Sequence, residues 1–141
     1  MSVATLLLLA VVGLAFDLGR IYIARNEAQV FTDAASLAAA KSLDNPETQG
    51  QRLEAARAAV ARMPNRWNLG TQSFKGVVVE FSADGLHWDK SPEDAAAVQF
   101  SRVSAPMNEV EITFLRAVGG PDFFTVPAHS VAETGPVRLV E

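Results

Sequence analysis

The stretch that decides the fold is Leu6–Asp44, "LLLLAVVGLAFDLGRIYIARNEAQVFTDAASLAAAKSLD". It starts as pure hydrocarbon, meets its first charge at Asp17, and runs on without a proline or a turn signal. From Val3 to Phe16 apolar residues fall on every side of a helix, so this part must be surrounded by lipid or by other protein. Residues 1–16 rise through roughly 24 Å, short against the roughly 30 Å hydrocarbon core of a bilayer. No basic region precedes the run, and no small-x-small cleavage site follows Phe16. The segment therefore reads as a retained helix rather than a removed signal peptide. Its membrane or assembly-core side chains are Leu6, Leu7, Leu8, Leu9, Val11, Val12, Leu14 and Phe16.

Beyond the apolar part, Asp17 and Arg20 lie three residues apart on one helix face. There they form either an ion pair at a membrane boundary or a polar lock that sets the register between packed helices. A collar made of that pair predicts that Asp17→Lys blocks assembly and that adding Arg20→Glu partly restores it. Further on, Ala24, Ala28, Phe31, Ala35, Ala38 and Ala39 recur at helical spacing as a narrow, smooth stripe. Small side chains let another surface come close, whether the chain's own globular part or a second copy. Asp44, Asn45 and Pro46 stop the helix, because proline disfavours helical geometry in the residue before it. A helix from Val3 to Leu43 is roughly 60 Å long, so one end must protrude from a domain of this size.

The whole chain has 141 residues, 49% of them apolar and 20% charged, and the apolar excess sits in the first sixteen. A net charge of −4, with lysine and arginine scattered singly, provides no basic field for nucleic acid. Cysteine is absent, which excludes disulfides, thiolate nucleophiles and cysteine metal sites. His87 and His129 are the only histidines, and they stand apart from one another without the spacing of a metal site, even with Asp84, Asp89 and Asp122 in reach. Neither phosphate-binding glycine loops nor a nucleophile elbow occurs. Trp67, Trp88, Phe123 and Phe124 read as core aromatics rather than a stacking platform. The reading is of a protein without catalytic, cofactor or metal residues.

After the long helix, Glu47–Met63 predicts a second one, with Leu53, Ala56, Val60 and Met63 on one face and Pro64 as its stop. From Thr71 the period becomes that of strands. "FKGVVVEFSADG" leads to a hairpin at Asp84-Gly85, and "AVQFSRVSA", "NEVEITFLRA" and "FFTVPAHSVAET" follow, with Pro127 marking an edge or a bulge. Val110, Ile112 and Phe114 share one face of the third run. The junction falls at Asn65–Thr71. The plan is α+β: a long N-terminal helix over 1–44, and a head over 45–141 in which a second helix packs on a small antiparallel sheet of three to five strands.

The run Gly13–Ala40 resembles the N-terminal segment of the TadE/TadG-like pilus-assembly proteins, pilin-like members of the tight-adherence (Flp) system. The residues that carry the likeness are Asp17, Gly19, Arg20, Tyr22, Gln29 and Asp33, after an apolar run. Trp88-Asp89, Asn108–Thr113 and Thr125–Ala132 extend it more weakly into the head. The resemblance implies a pilin-like structural subunit without enzymatic activity. Its apolar helix would sit in the inner membrane until assembly, then pack with copies of itself or other pilins in an extracellular filament at the cell surface, handled by pilus-assembly machinery. The rival is a single-pass, membrane-anchored periplasmic accessory protein or minor subunit that does not polymerise. Two departures limit the likeness. Thr5 stands where many pilins have glutamate, so a glutamate-dependent N-terminal pairing is not implied; and no von Willebrand factor A-type domain follows Glu141, so adhesion through one is not implied either.

Overall fold

The computed structural model describes residues 2–64 and 73–135; the expected junction at Asn65–Thr71 and the side chain of Trp67 lie outside them. Helix α1 runs unbroken over Ser2–Leu43. Leucine and alanine dominate it, and no interior proline removes a donor. It ends where expected. Asp44 still donates to Ala40 O (3.3 Å), and then Asn45 turns extended and accepts the Glu47 N–H on its side chain at 3.0 Å. That cap starts a 3-10 turn over Pro46–Gln51, with proline at its head, where its missing N–H costs nothing.

The second helix is shorter than its pattern predicts: α2 spans Arg52–Ala61, and Glu47–Gln51 wind as 3-10. Gly50 favours neither conformation and weakens an α-helical start there. Arg52 fixes the junction. Its guanidinium donates to Leu43 O (3.1 Å) at the carbonyl end of α1, and to Ala95 O, Ala96 O and Val98 O at 3.1, 2.9 and 3.2 Å. One cation thus satisfies a helix C-terminus and a loop together.

Strands β1 (Val78–Ser82), β2 (Phe100–Ala105) and β5 (Ala128–Glu133) form an antiparallel sheet in the order β1-β2-β5. In the registers Phe81↔Ser101, Val103↔Ser130 and Ala105↔Ala128, one face carries small residues beside Phe81 and Val103, and α1 lies on that face. Ser101 Oγ donates to Ser36 O at 2.9 Å, a contact open only to short side chains on both surfaces. Two apolar clusters flank it. In one, Phe31 stacks on Phe74 with 4.4 Å between ring centroids; in the other, Leu43, Ala56, Val60, Phe81, Val98 and Val103 join α1, α2 and the sheet.

The rest of the head departs from its pattern. "NEVEITFLRA" is a strand only over Glu109–Glu111 (β3), paired with β4 (Phe123–Thr125), and its second half turns into a short helix, α3, at Phe114–Ala117. Phe114 therefore leaves the face of Val110 and Ile112. Phe123 and Phe124, expected in the core, point to opposite faces of β4 and are both about half exposed. Trp88 is half-buried beneath the Arg102 guanidinium, 4.5 Å from its ring centroid. Pro127 lies between β4 and β5, where the chain passes from one sheet to the other. At Asp84-Gly85 the chain does fold back, with Gly85 at φ +76°, but pairing is limited to the single bridge Phe81↔Asp89.

In that turn Asp84 Oδ1 accepts from the N–H groups of Leu86 (2.8 Å) and His87 (2.9 Å), and Oδ2 lies 2.6 Å from His87 Nδ1. The His87 N–H and then its imidazole hold the Asp84 carboxyl well below its usual range, and the bond to Asp84 followed by its charge raises His87. A lowered carboxylate contributes above its ordinary value of 3.8 and loses that as pH falls through its folded value; a raised imidazole contributes below its ordinary 6.5 and loses that as pH climbs through its folded value. The turn is therefore tightest from 3.8 to 6.5. An NMR titration should place the His87 midpoint above 6.5 and find it back near the ordinary value in Asp84→Asn; an unshifted wild-type midpoint would remove the pair. Separately, Arg52→Ala leaves four carbonyls without their cation, and urea unfolding of the detergent-solubilised chain should show a loss of about 1.5–3 kcal/mol.

Candidate functional site

The arm comes first. From Leu6 to Val12 the large side chains Leu6, Leu7, Leu8, Leu9, Val11 and Val12 are between 63% and 67% exposed, so the head leaves this length of α1 bare. Leu14 and Phe16 are half exposed. By length and composition α1 can cross a membrane, and only 11% of its most apolar window is buried, which sets it apart from the core helix of a soluble domain.

Where the apolar run ends, the head docks. Asp17 is 1% exposed, and its carboxylate accepts from three successive backbone N–H groups: Thr113 at 3.0 Å, Phe114 at 2.9 Å and Leu115 at 2.7 Å. These are the donors that an α-helix leaves without internal partners at its start, so Asp17 serves as the anion at the head of α3 from 96 residues away along the chain. Arg20 reaches the same segment, its Nη1 donating to Thr113 Oγ1 at 3.1 Å. Asp17 and Arg20 thus meet on the head rather than through a bond to each other.

Two neighbours shape the dock. Phe16 meets Phe114 edge to face, 5.4 Å between centroids. Gly13 leaves the room Phe114 occupies: a Cβ there would lie 2.7 Å from Phe114 Cβ. No pattern in the sequence around Gly13 announces this role, which depends on Phe114, a residue that the strand pattern placed elsewhere.

More than three turns beyond Asp17, Gln29 Nε2 donates to Asp33 Oδ1 (2.8 Å), Ser130 Oγ (2.9 Å) and His129 O (3.3 Å). Thr32 Oγ1 is 3.1 Å from Ser130 Oγ, and Ser130 also donates to Asp33. These bonds fasten β5 to α1. Ala24, Ala28, Phe31, Ala35 and Ala39 are buried against the head, with Ala38 half-buried beside them. Of the residues that carried the family likeness, Asp17, Arg20, Gln29 and Asp33 bond to the head. Tyr22 is 67% exposed, and nothing lies within 4 Å of a Cβ built on Gly19.

Among the described residues no three of His, Cys, Asp and Glu come together as metal ligands would. His129 contributes its carbonyl to Gln29, and His87 is engaged with Asp84 in the exposed turn.

The geometry at Asp17 changes the expected outcome of the charge swap. Lysine cannot accept three N–H bonds, and the side chain at residue 20 meets the Thr113 hydroxyl rather than the three N–H groups. Asp17→Lys should free the amides of Thr113, Phe114 and Leu115 to exchange with solvent at least ~10-fold faster, the effect of a hydrogen-bond loss of about 1.5–3 kcal/mol. Adding Arg20→Glu should leave that rate unchanged; recovery of slow exchange in the double variant would restore the direct-pair reading.

Residues 1–42 match the family model described as Flp pilus-assembly TadE/G-like. No curated protein and no solved structure matches the chain. The matched family is one of pilus assembly rather than of enzymes, and the match and the bare apolar helix together point to a pilus-related, membrane-anchored protein.

Proposed function

We propose that the protein is a pilin-like structural subunit of an extracellular bacterial filament. The bare arm over Val3–Val12 supports this reading most directly. A helix that is apolar all round is stable in lipid, and on leaving lipid it needs protein on every side. Parallel packing of many such arms meets that need. The head already occupies Asp17, Arg20, Gln29 and Asp33, so the arms pack through Leu6, Leu7, Leu8, Leu9, Val11, Val12, Leu14 and Phe16. A head-to-tail contact of this kind does not close on itself and propagates as a filament.

In this reading the chain divides into a helix over 1–44 and a head over 45–141. It stands in the inner membrane before assembly and at the cell surface afterwards. Its partners are its own copies, other pilins and the pilus-assembly machinery. The second reading, a membrane-anchored periplasmic accessory protein that does not polymerise, rests on the same arm used as a tether.

Electron microscopy of the sheared extracellular fraction from producing cells, with mass spectrometry of the chain's N-terminus, separates the two. Filaments containing the chain are expected, and Leu8→Glu should abolish its incorporation while the protein still accumulates. Confinement of the wild-type chain to the membrane fraction would replace the filament subunit with the tethered accessory protein.

A further inference from the structure

The docked α3 lies beside the apolar arm, on the membrane side of the first unburied charge. Between α1 and α3 runs a groove of about 420 Å³, walled by Leu6, Leu9 and Leu14 on the helix and by Leu115, Ala117 and Val118 on the head. Val118 is 77% exposed and Phe114 45%. Along α1, Gly13 and Asp17, which hold α3, precede the exposed Tyr22 by nine and five residues, a rise of roughly 13 and 8 Å. An exposed tyrosine next to Arg20 and Arg25 has the composition of a headgroup belt. Whatever surrounds Leu6–Leu14 therefore surrounds α3 as well.

The backbone of this tip suits such a place. In hydrocarbon an unpaired N–H costs several kcal/mol, about the free energy of a whole small contact, so irregular chain survives there only when its donors are used. Thr113, Phe114 and Leu115 donate to Asp17. Val118 and Gly120 donate to Leu115 O at 3.2 and 2.8 Å, and Gly119 donates to Arg116 O at 3.1 Å. The one charge on α3, Arg116, is paired with Asp122 at 2.9 Å and faces Glu111 at 3.9 Å. Used donors at both ends of α3, a paired cation and an exposed apolar Val118 suit a loop that enters lipid.

From these observations we propose that α3 is a membrane-inserted tip: Leu115 and Val118 enter the lipid leaflet facing the head, and lipid acyl chains fill the groove against α1. The head is then held by the membrane at two places, the arm and the tip, which fixes its tilt before assembly. This rests on the reading of α1 as membrane-inserted.

The chain has no cysteine, so single cysteines carry a nitroxide label without background. Val118→Cys, Leu9→Cys and Leu86→Cys report the tip, the arm and an exposed loop of the full chain, reconstituted in phosphatidylethanolamine and phosphatidylglycerol vesicles. The readout is collision with oxygen, which concentrates in lipid, against a nickel chelate, which stays in water. The oxygen-to-nickel ratio at residue 118 should be several-fold above that at residue 86 and approach that at residue 9. A water-like ratio at 118 with a lipid-like one at 9 overturns the inserted tip and leaves the arm's insertion standing. A water-like ratio at residue 9 overturns both. A label at 118 shielded from both reagents and broadened by a neighbouring spin replaces lipid with a second copy of the chain as the occupant of the groove.

Discussion

The carboxylate of Asp17 sets the position of the head along the helix. It is buried at the end of an apolar run, where an unpartnered charge would be costly, and it is kept there by donors that have no other acceptor. The dependence is mutual. Without Asp17 the start of α3 has three unsatisfied N–H groups, and without α3 the helix carries a bare carboxylate into its least polar surroundings. Charge-assisted bonds of this kind contribute about 1.5–3 kcal/mol each, more than the neutral contacts around them. Docking at this point settles where the bare arm begins, and hence how much of α1 remains for lipid or for neighbours.

The seam beyond Asp17 works by different means. Ala24, Ala28, Ala35 and Ala39 face Ser101, Ala105, Ala128 and Ser130, and such small surfaces approach closely while burying little apolar area per residue. Area alone would leave the head loosely held. Larger side chains at the two ends, Phe31 on Phe74 and Leu43 with Phe81, supply apolar burial. Gln29, Asp33, Ser36 and Arg52 supply direction, since each hydrogen bond is made at one register only. Sliding α1 by one turn would keep an alanine face on the sheet but would break every one of these bonds, so the polar residues fix the register that the alanines permit.

What could be read from the sequence follows the range of the forces involved. The long helix, its stop at Asn45-Pro46 and the α+β plan depend on neighbouring residues, and the periodic pattern carries them. The start of α2 departs from its pattern because Gly50 weakens a turn that the apolar spacing alone would accept. The departure at Thr113–Ala117 has another cause. "EITFLRA" alternates well enough for a strand, and it becomes helical because a carboxylate from the far end of the chain receives its N–H groups. No local rule contains that partner. Gly13 is opaque for the same reason, and Phe123 and Phe124 read as core because a sequence does not say that the strand carrying them is left exposed along its length.

The same residues explain how a family signature can lie on the helix while much of its chemistry concerns the head. Of the polar points in that signature, Asp17, Arg20, Gln29 and Asp33 all end in bonds to segments about a hundred residues later. Their spacing along α1 therefore encodes where the head sits. The apolar arm needs no such encoding: burying a leucine or valine side chain is worth about 1.5–3 kcal/mol whatever apolar surface receives it. A head placed by directional bonds and an arm committed to no particular neighbour are a division of labour within one helix. The hydrogen bonds from Asp17, Arg20, Gln29 and Asp33 to the head lie beyond the apolar run, and the packing of Phe114 on Gly13 and Phe16 is where dock and arm meet.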